Sequence, residues 1–209
     1  MSNVIISVSG PSGSGKSLFS QCISKNFNNH NEVVTISEDG YYRDRFDLTF
    51  EERSIQNYDH PDAFEHKFFY EHLVKLKSGK AINSPKYNYV THLRQKYTIR
   101  ILPCSVIILE GILLLADKKL RNLTNIKIYI DTPLDICLSR KIYRDSFERG
   151  RPIESIISQY NNFVRPMYFK FIKPSKKYAD VIVPQGGKNQ IAINIIQAKI
   201  DKLINLKKK

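Results

Sequence analysis

The sequence of 209 residues contains no tryptophan and only three cysteines, Cys22, Cys104 and Cys137. The cysteines lie far apart and form no C-x-x-C pair, which argues against a disulfide framework and against a zinc site. No apolar run is long enough to cross a bilayer, and the N-terminus lacks the basic and apolar regions of a secretory signal. We therefore expect a cytoplasmic protein that has no membrane partner.

Acidic residues are scarce, since 20 Asp and Glu stand against 33 Lys and Arg, and the formal net charge is +13. Most of the excess lies in residues 140–209, which contain 16 basic and 5 acidic side chains. Such a surface could bind nucleic acid. The apolar content of 42% and the length fit one globular domain, 1–209, with room for a small inserted lobe.

Short apolar runs alternate along the chain with segments of helical spacing. The predicted strands are 4–8, 33–37, 106–109, 126–130 and 181–183, and the predicted helices are 16–27, 63–76, 132–149, 153–163 and 189–206. Fully apolar strands that alternate with helices indicate an α/β fold with a parallel sheet flanked by helices. Segments 87–90 and 96–102 alternate in polarity, which predicts a hairpin lobe over about 84–102.

The first predicted strand leads into Gly10-Pro-Ser-Gly-Ser-Gly-Lys-Ser17, which matches the phosphate-loop pattern G-x-x-x-x-G-K-[ST]. Its glycines let successive backbone N–H groups face one anion, and the next helix directs its N-terminus at the same anion. Lys16 adds a charge towards the β- and γ-phosphates, and Ser17 offers a hydroxyl to Mg²⁺. The pattern predicts a nucleoside triphosphate, ATP or GTP. The predicted nucleotide-binding residues are Gly10, Pro11, Ser12, Gly13, Ser14, Gly15, Lys16, Ser17 and Leu18.

Two acids follow predicted strands, where ligands of parallel sheets gather. Asp39, after the second strand, is suited to accept the proton of an attacking hydroxyl or to hold Mg²⁺, and a solvated turn acid is the alternative. Glu110 ends the run 106–109, and a charge after a buried strand needs a partner. Mg²⁺ is the partner we favour over the role of a helix N-cap.

A basic series lies towards the C-terminal end of the third predicted helix, 132–149, and just beyond it. Its members are Arg140, Lys141, Arg144, Arg149 and Arg151. Glycine and proline at 150 and 152 interrupt the helix, and cations near a mobile break suit a lid that closes over phosphates. We place this lid at about 140–163. The alternative is a solvated basic helix face.

With these motifs in their order along the chain, the sequence resembles the bacterial uridine kinase (uridine/cytidine kinase) family over nearly its whole length. The resemblance lies in segments 10–17, 39–44, 57–64, 87–94, 107–113, 131–151 and 178–187. The phosphate loop is generic, whereas Y-D-H-P-D-A-F at 58–64 and E-R-G-R at 148–151 are far more specific. The resemblance implies a phosphate-loop kinase fold with a hairpin acceptor lobe and a helical lid.

The resemblance also implies roles for individual residues. Asp39 would take the proton of the nucleoside 5′-hydroxyl, and Asp59 would accept hydrogen bonds from the ribose hydroxyls. The catalytic cations would be Lys16, Arg144 and Arg149. Tyr87 and His92 would meet the pyrimidine edge, and the other substrate-binding residues would be Tyr42, Tyr58, Tyr89, Lys141, Arg151 and Gln159. Mg²⁺ would be held by Ser17, Glu110 and Asp39.

The implied reaction is transfer of the γ-phosphate of ATP or GTP to uridine and cytidine, which gives UMP and CMP. The resemblance further implies a homotetramer and feedback inhibition by CTP. The chain departs from the family at Lys141, where the family has an arginine, and at Lys86, Leu93 and Gln185. A lysine lacks the bidentate fork of arginine, so contacts at position 141 are expected to be weaker.

Two other functions fit parts of the sequence. A kinase of a sugar phosphate or of pantothenate fits the phosphate loop, but it would not need the predicted nucleobase pocket at Tyr87 and His92. A P-loop regulatory or RNA-binding protein fits the basic segment 140–209, but it leaves Asp39, Asp59 and His92 without a role. We therefore expect no nucleic-acid partner.

Overall fold

The computed structural model describes residues 3–27 and 32–208. Its strands are β1 Val4–Ser9, β2 Val33–Ser37, β3 Ile82–Asn88, β4 Leu93–Ile101, β5 Val106–Gly111, β6 Ile126–Asp131 and β7 Val181–Pro184. Its helices are α1 Lys16–Ser24, α2 Phe50–Ser54, α3 His66–Lys77, α4 Lys118–Leu123, α5 Leu134–Phe147, α6, which begins with Ile153–Gln159, and α7 Gln190–Lys208. None of the helices described is long and apolar enough to cross a membrane.

Five strands form a parallel sheet in the order β2-β5-β1-β6-β7, and β3 and β4 form a separate antiparallel hairpin. The central strands β1 and β5 are buried on both faces, whereas the edge strand β7 is mostly exposed. Ile6 and Ile108 pack in one layer with α1 and α7, while Ile5 and Ile107 pack in the other with α3. Each fully buried isoleucine stabilises the fold by about 2 kcal/mol. The predicted α/β fold with a helix-flanked parallel sheet is confirmed.

The order of the strands determines where the functional residues meet. In a parallel sheet all carboxyl ends lie at one edge. β1 lies between β5 and β6, with Ser9 in register with Gly111 of β5 and with Tyr129 of β6. The phosphate loop after β1 therefore lies beside Glu110 at the end of β5, and Ser37 at the end of β2 is in register with that glutamate.

The hairpin differs from its predicted pairing. Tyr87 lies opposite Arg94, and residues 89–92 form the turn rather than the end of a strand. Residues 98–101 pair with 82–85, a segment that was not predicted as a hairpin strand. Pro85 explains the error, because a proline inside a run argues against a strand. The register shifts just after this proline, between Pro85 and Tyr87.

Several helix bounds also differ from prediction. The predicted helix 16–27 ends at Ser24, and the predicted helix 63–76 begins only at His66, after the short 3₁₀ turn Pro61–Ala63. The helix predicted over 132–149 is limited to Leu134–Phe147, and the one predicted over 153–163 changes to the π-helical turn Tyr160–Val164. Beyond that turn the chain stays helical to residue 178, with a second π turn.

Two short helices, α2 and α4, were missed, although each has a recognisable start. Thr49 and Glu52 form a capping box at α2, in which the Thr49 side chain accepts a hydrogen bond from the backbone N–H of Glu52. At α4 the Asp117 side chain accepts a 2.8 Å hydrogen bond from the backbone N–H of Leu120. Caps of this kind mark a helix start even where the apolar periodicity is too short to be read.

A group of three side chains around the buried Glu38 fixes the segment that follows β2. His66 Nε2 lies 2.9 Å from Glu38 Oε1, and His66 Nδ1 lies 3.5 Å from Asp117 Oδ2. The other oxygen of Glu38 accepts a 3.0 Å hydrogen bond from the backbone N–H of Leu113. Because Glu38 precedes Asp39, this group joins the Asp39 turn to the chain after β5 and to the start of α4.

We expect His66→Gln to remove a pH-dependent part of the stability. Burial lowers the pKa of His66, but hydrogen bonds and charges from Asp117 and Glu38 outweigh it and raise the pKa to about 9. The pKa of His66 in the unfolded chain is about 6.5, so the protonated imidazole stabilises the folded state. This contribution is complete below pH 6.5 and is lost as the pH rises through 9. Denaturant unfolding from pH 6 to 10 should show the parent losing about 3 kcal/mol relative to the variant. A difference that does not change with pH would contradict this account.

Candidate active site

The phosphate loop has the backbone shape that its glycines make possible. Gly13 and Gly15 have positive φ angles of 80° and 92°. A Cβ atom on Gly13 would lie 2.3 Å from the carbonyl oxygen of Cys137, so only glycine fits there. Gly15 precedes α1, and within the described part of the chain no side chain caps that helix. The N–H groups of the first turn therefore remain available to an anion.

Neighbouring elements hold the loop from outside. Thr132 Oγ1 donates a 2.9 Å hydrogen bond to the carbonyl oxygen of Ser14, and Arg140 donates to the same oxygen at 3.3 Å. The Gly186-Gly187 pair lies on the other side, where a Cβ atom on Gly186 would meet that oxygen at 2.3 Å. A Cβ atom on Gly187 would lie 2.6 Å from Leu18 Cγ, so there is a physical reason for each of the two glycines after β7.

Glu110 and two serine hydroxyls form a group of hard oxygen atoms beside the loop. Ser17 Oγ donates to Glu110 Oε2 at 2.9 Å, and Ser37 Oγ donates to Glu110 Oε1 at 2.7 Å. Mg²⁺ prefers oxygen ligands and binds through one or two protein carboxylates while it keeps water and phosphate oxygens. The donor set therefore fits Mg²⁺. Between residues 3 and 208, leaving out 28–31, no three His, Cys, Asp or Glu side chains form a metal-holding group.

Asp39 lies in the short 3₁₀ turn Glu38–Tyr41 after β2, where the Ser37 hydroxyl accepts a hydrogen bond from its backbone N–H. Its Oδ2 accepts a 2.7 Å hydrogen bond from the Tyr89 hydroxyl of the hairpin turn. Burial and the Asp39 charge raise the pKa of Tyr89, so the phenol stays protonated. The Arg149 guanidinium lies 3.9 Å from the centre of the Tyr89 ring.

One cavity of about 190 Å³ brings together most of the predicted site. Lys16 and Ser17 of the phosphate loop line it together with Asp39. The other predicted residues that line it are Ser12, Tyr42, Tyr58, Asp59, Tyr87, Tyr89, His92, Lys141, Arg144, Arg149, Arg151 and Gln159. Ile112 completes the lining and was not predicted. Leu18 does not line this cavity, but lies in a larger groove between α1, β2 and the hairpin.

Aromatic side chains form one wall of the cavity. The rings of Tyr42 and Tyr87 lie 4.8 Å apart, and His92 stacks on Tyr58 with ring centres 5.0 Å apart. His92 has a positive φ angle of 55° and is the last residue of the hairpin turn, directly before β4. Burial and the charges of arginines, Arg151 foremost, lower the pKa of His92 to about 4. The imidazole is therefore neutral at pH 7.

The lid cations meet at an acid that the sequence analysis did not single out. Asp145 is fully buried, and its carboxylate is 2.6 Å from Lys141 Nζ and 2.9 Å from Arg144 Nη2. Arg151 lies further out and donates to Gln159 Oε1 at 2.7 Å. The available signal was an acid within a strongly basic run, four residues after Lys141; Glu148 is the second acid of that run.

Comparison with known proteins places the chain in a family. The profile of the phosphoribulokinase/uridine kinase family matches residues 5–192. A uridine kinase of Proteus mirabilis is 54% identical over 200 residues, which cover 94% of this chain and 93% of that protein. The chain belongs to the phosphoribulokinase/uridine kinase family. A uridine kinase of Serratia proteamaculans, 52% identical over 200 residues, covers 94% of each.

Solved structures show the same family fold at much lower sequence identity. A putative fructose transport system kinase from a Silicibacter species superposes with a TM-score of 0.71 at 20% identity, covering 88% of this chain and 90% of that chain. The phosphoribulokinase of Rhodobacter spheroides gives 0.63 at 18% identity, covering 88% and 70%. At this identity the likeness concerns the fold alone.

We expect Asp59→Asn to stabilise the protein without ligand above pH 6. Burial, and to a lesser degree the Asp39 charge, raise the pKa of Asp59 to about 6, although Lys141 opposes the shift. A folded pKa above the unfolded value, about 4, lowers stability as pH rises through 6, by about 3 kcal/mol in full. Denaturant unfolding at pH 4 and pH 8 checks this. Asp62→Asn, at a residue with 89% of its side chain exposed, is the control and should show no gain at either pH.

Proposed function

We propose that this protein is a uridine/cytidine kinase, which transfers the γ-phosphoryl group of ATP or GTP to the 5′-hydroxyl of uridine and of cytidine. The observation that carries the proposal is the single cavity shared by Lys16 and Ser17, Asp39 and Asp59. A phosphate-binding loop, the proposed proton acceptor and a buried acid thus line one space of about 190 Å³. The relatives named uridine kinase, more than 50% identical over most of the chain, support the same assignment.

In the proposed reaction the 5′-oxygen forms a bond to the γ-phosphorus while the bond to the bridging oxygen breaks and ADP or GDP leaves. Asp39 accepts the proton of the 5′-hydroxyl, and the Tyr89 hydroxyl orients its carboxylate. Lys16, Arg144 and Arg149 neutralise the charge on the transferred group. Positioning and charge stabilisation supply most of the rate in phosphoryl transfer.

Mg²⁺ is proposed to be held by Ser17 and Glu110, the two side chains in direct hydrogen-bond contact beside the loop. Asp39 is the third candidate ligand. When bound, the ion neutralises phosphate charge. Glu110 is kept in place by its second hydrogen bond, from Ser37.

The acceptor is proposed to lie between Asp59 and the aromatic wall. Asp59 accepts hydrogen bonds from the 2′- and 3′-hydroxyls of the ribose, a task that suits a carboxylate with free oxygens. Tyr87 and the neutral His92 meet the polar edge of the pyrimidine, and Tyr42 and Tyr58 pack beside it. The remaining substrate contacts come from Lys141, Arg151 and Gln159.

Other properties implied by the family resemblance belong to the same proposal. The chain would act as one domain, 1–209, with the hairpin as acceptor lobe and 140–163 as lid. Gly10, Pro11, Ser12, Gly13, Ser14, Gly15 and Leu18 would contact the nucleotide with Lys16 and Ser17. The enzyme would be cytoplasmic and homotetrameric, with CTP as feedback inhibitor.

The acceptor specificity of the purified protein tests the proposal. ADP release is measured with Mg-ATP and, in turn, uridine, cytidine, thymidine, ribulose 5-phosphate, pantothenate and no acceptor. We expect turnover with uridine and cytidine alone, because only these present both a pyrimidine edge and a 2′-hydroxyl. Turnover with ribulose 5-phosphate or pantothenate instead would make the protein a kinase of another small acceptor. ATP binding without any turnover would favour a regulatory protein.

We expect Asp39→Asn to keep nucleotide binding and to lower kcat with uridine by about a hundredfold or more, since the proton acceptor is lost while its shape is kept. ATP affinity should change by less than about threefold. Asp47→Asn, at an exposed residue of the following loop, is the matched control and should behave like the parent. A near-normal kcat for Asp39→Asn would remove this residue from the mechanism.

A further inference from the structure

A single buried carboxylate holds the cations of the lid. Asp145, near the end of α5, is fully buried. Its Oδ2 lies 2.6 Å from Lys141 Nζ and 3.9 Å from Arg151 Nη1. Its Oδ1 lies 2.9 Å from both Nε and Nη2 of Arg144 and 3.1 Å from Arg149 Nη1. Four cationic side chains from α5 and from the turn after it therefore surround one acid.

The charge of this carboxylate balances part of a strong local excess. Burial alone would raise the pKa of Asp145, but the charges of Lys141, Arg144 and Arg149 lower it to about 2. The carboxylate is thus ionised throughout the physiological range. Without it, four like charges within a few ångströms of one another would repel in a partly buried volume, where screening is weak.

Helix stability does not explain an acid at this position. Asp145 lies in the last turn of α5, where the helix dipole disfavours a negative charge and favours the neighbouring Arg144. A buried group of ion pairs is also weak evidence for stability, because desolvation of the charges offsets much of their attraction. The location is explained by the cavity: all four cations line it together with Lys16, while Asp145 lies behind them and does not line it.

The network continues from Asp145 to the proposed proton acceptor. Arg149 contacts both the Asp145 carboxylate and the face of the Tyr89 ring, at 3.1 and 3.9 Å. The Tyr89 hydroxyl donates to Asp39. One acid of the lid is therefore linked through two side chains to the carboxylate on the other side of the cavity.

We propose that Asp145 is the positioning residue of the phosphoryl-transfer site. It holds Lys141, Arg144 and Arg149 in the cavity wall before the polyphosphate binds, so that the charge that neutralises the γ-phosphoryl group is in place beforehand. The lysine at position 141 fits this role. Its one short contact to Asp145 needs only a point charge and not the bidentate geometry of an arginine side chain. The effect on turnover rests on the proposed function, whereas the effect on nucleotide binding does not depend on the acceptor.

Asp145→Asn tests the proposal, because it removes the charge and keeps the shape. Calorimetric titration with Mg-ATP in the absence of acceptor should show affinity at least about tenfold weaker than in the parent. With uridine, kcat should fall at least about tenfold, while the KM for uridine changes less than the KM for ATP. The matched control is Asp135→Asn, an exposed acid on the first turn of the same helix, which should behave like the parent.

The outcomes separate positioning from a structural role and from a wrong function. Thermal unfolding identifies a temperature at which Asp145→Asn is folded. If the variant at that temperature has the ATP affinity and the kcat of the parent, the proposal is overturned. If the parent enzyme is inactive on uridine, the proposed function is refuted. Even in that case, weaker ATP binding by Asp145→Asn would support the positioning role of Asp145.

A second variant covers the case in which Asp145→Asn does not fold. Lys141→Met alone and Lys141→Met with Asp145→Asn are compared, since the double change removes a buried cation together with its counter-ion. The second substitution should still weaken ATP binding at least about fivefold, because Arg144 and Arg149 also lose their anchor. An ATP affinity equal to that of Lys141→Met alone would refute the positioning role.

Discussion

The carboxyl edge of the parallel sheet is the constraint on which the site depends. Because β1 lies between β5 and β6, the phosphate loop has the Glu110 segment on one side and the start of α5 on the other. The contact of Ser17 with Glu110 and that of Thr132 with the Ser14 carbonyl follow from this order. The apolar interior of the sheet stabilises the edge on which these polar groups are arranged.

Charge balance is the second organising factor. The cavity contains an excess of cations, which suits a polyphosphate ligand. In the absence of that ligand, the excess positive charge needs counter-ions supplied by the protein itself. Asp145 supplies one from behind the cavity wall. A second group, His66 between the buried Glu38 and the partly exposed Asp117, keeps the Asp39 turn in place from the rear. The acids of this basic protein thus lie where they orient other groups.

Local patterns in the sequence predicted the parts of the structure that local physics determines. The phosphate loop and the apolar strands were predictable because glycine spacing and burial leave direct marks in the sequence. The pairing within the hairpin was predicted wrongly, since Pro85 hides β3 and the register depends on contacts across strands. Asp145 was missed for a related reason: only the folded lid shows that four cations converge on it.

We propose that the cavity between the phosphate loop and the hairpin receives a pyrimidine ribonucleoside. The most direct measurement is the ratio of kcat/KM for uridine to that for 2′-deoxyuridine with saturating Mg-ATP. A site built to bond a substrate hydroxyl rejects the analogue that lacks it, so we predict a ratio of about 100 or more. Equal values for the two nucleosides would contradict the account, because Asp59 would then have no role in recognising the ribose.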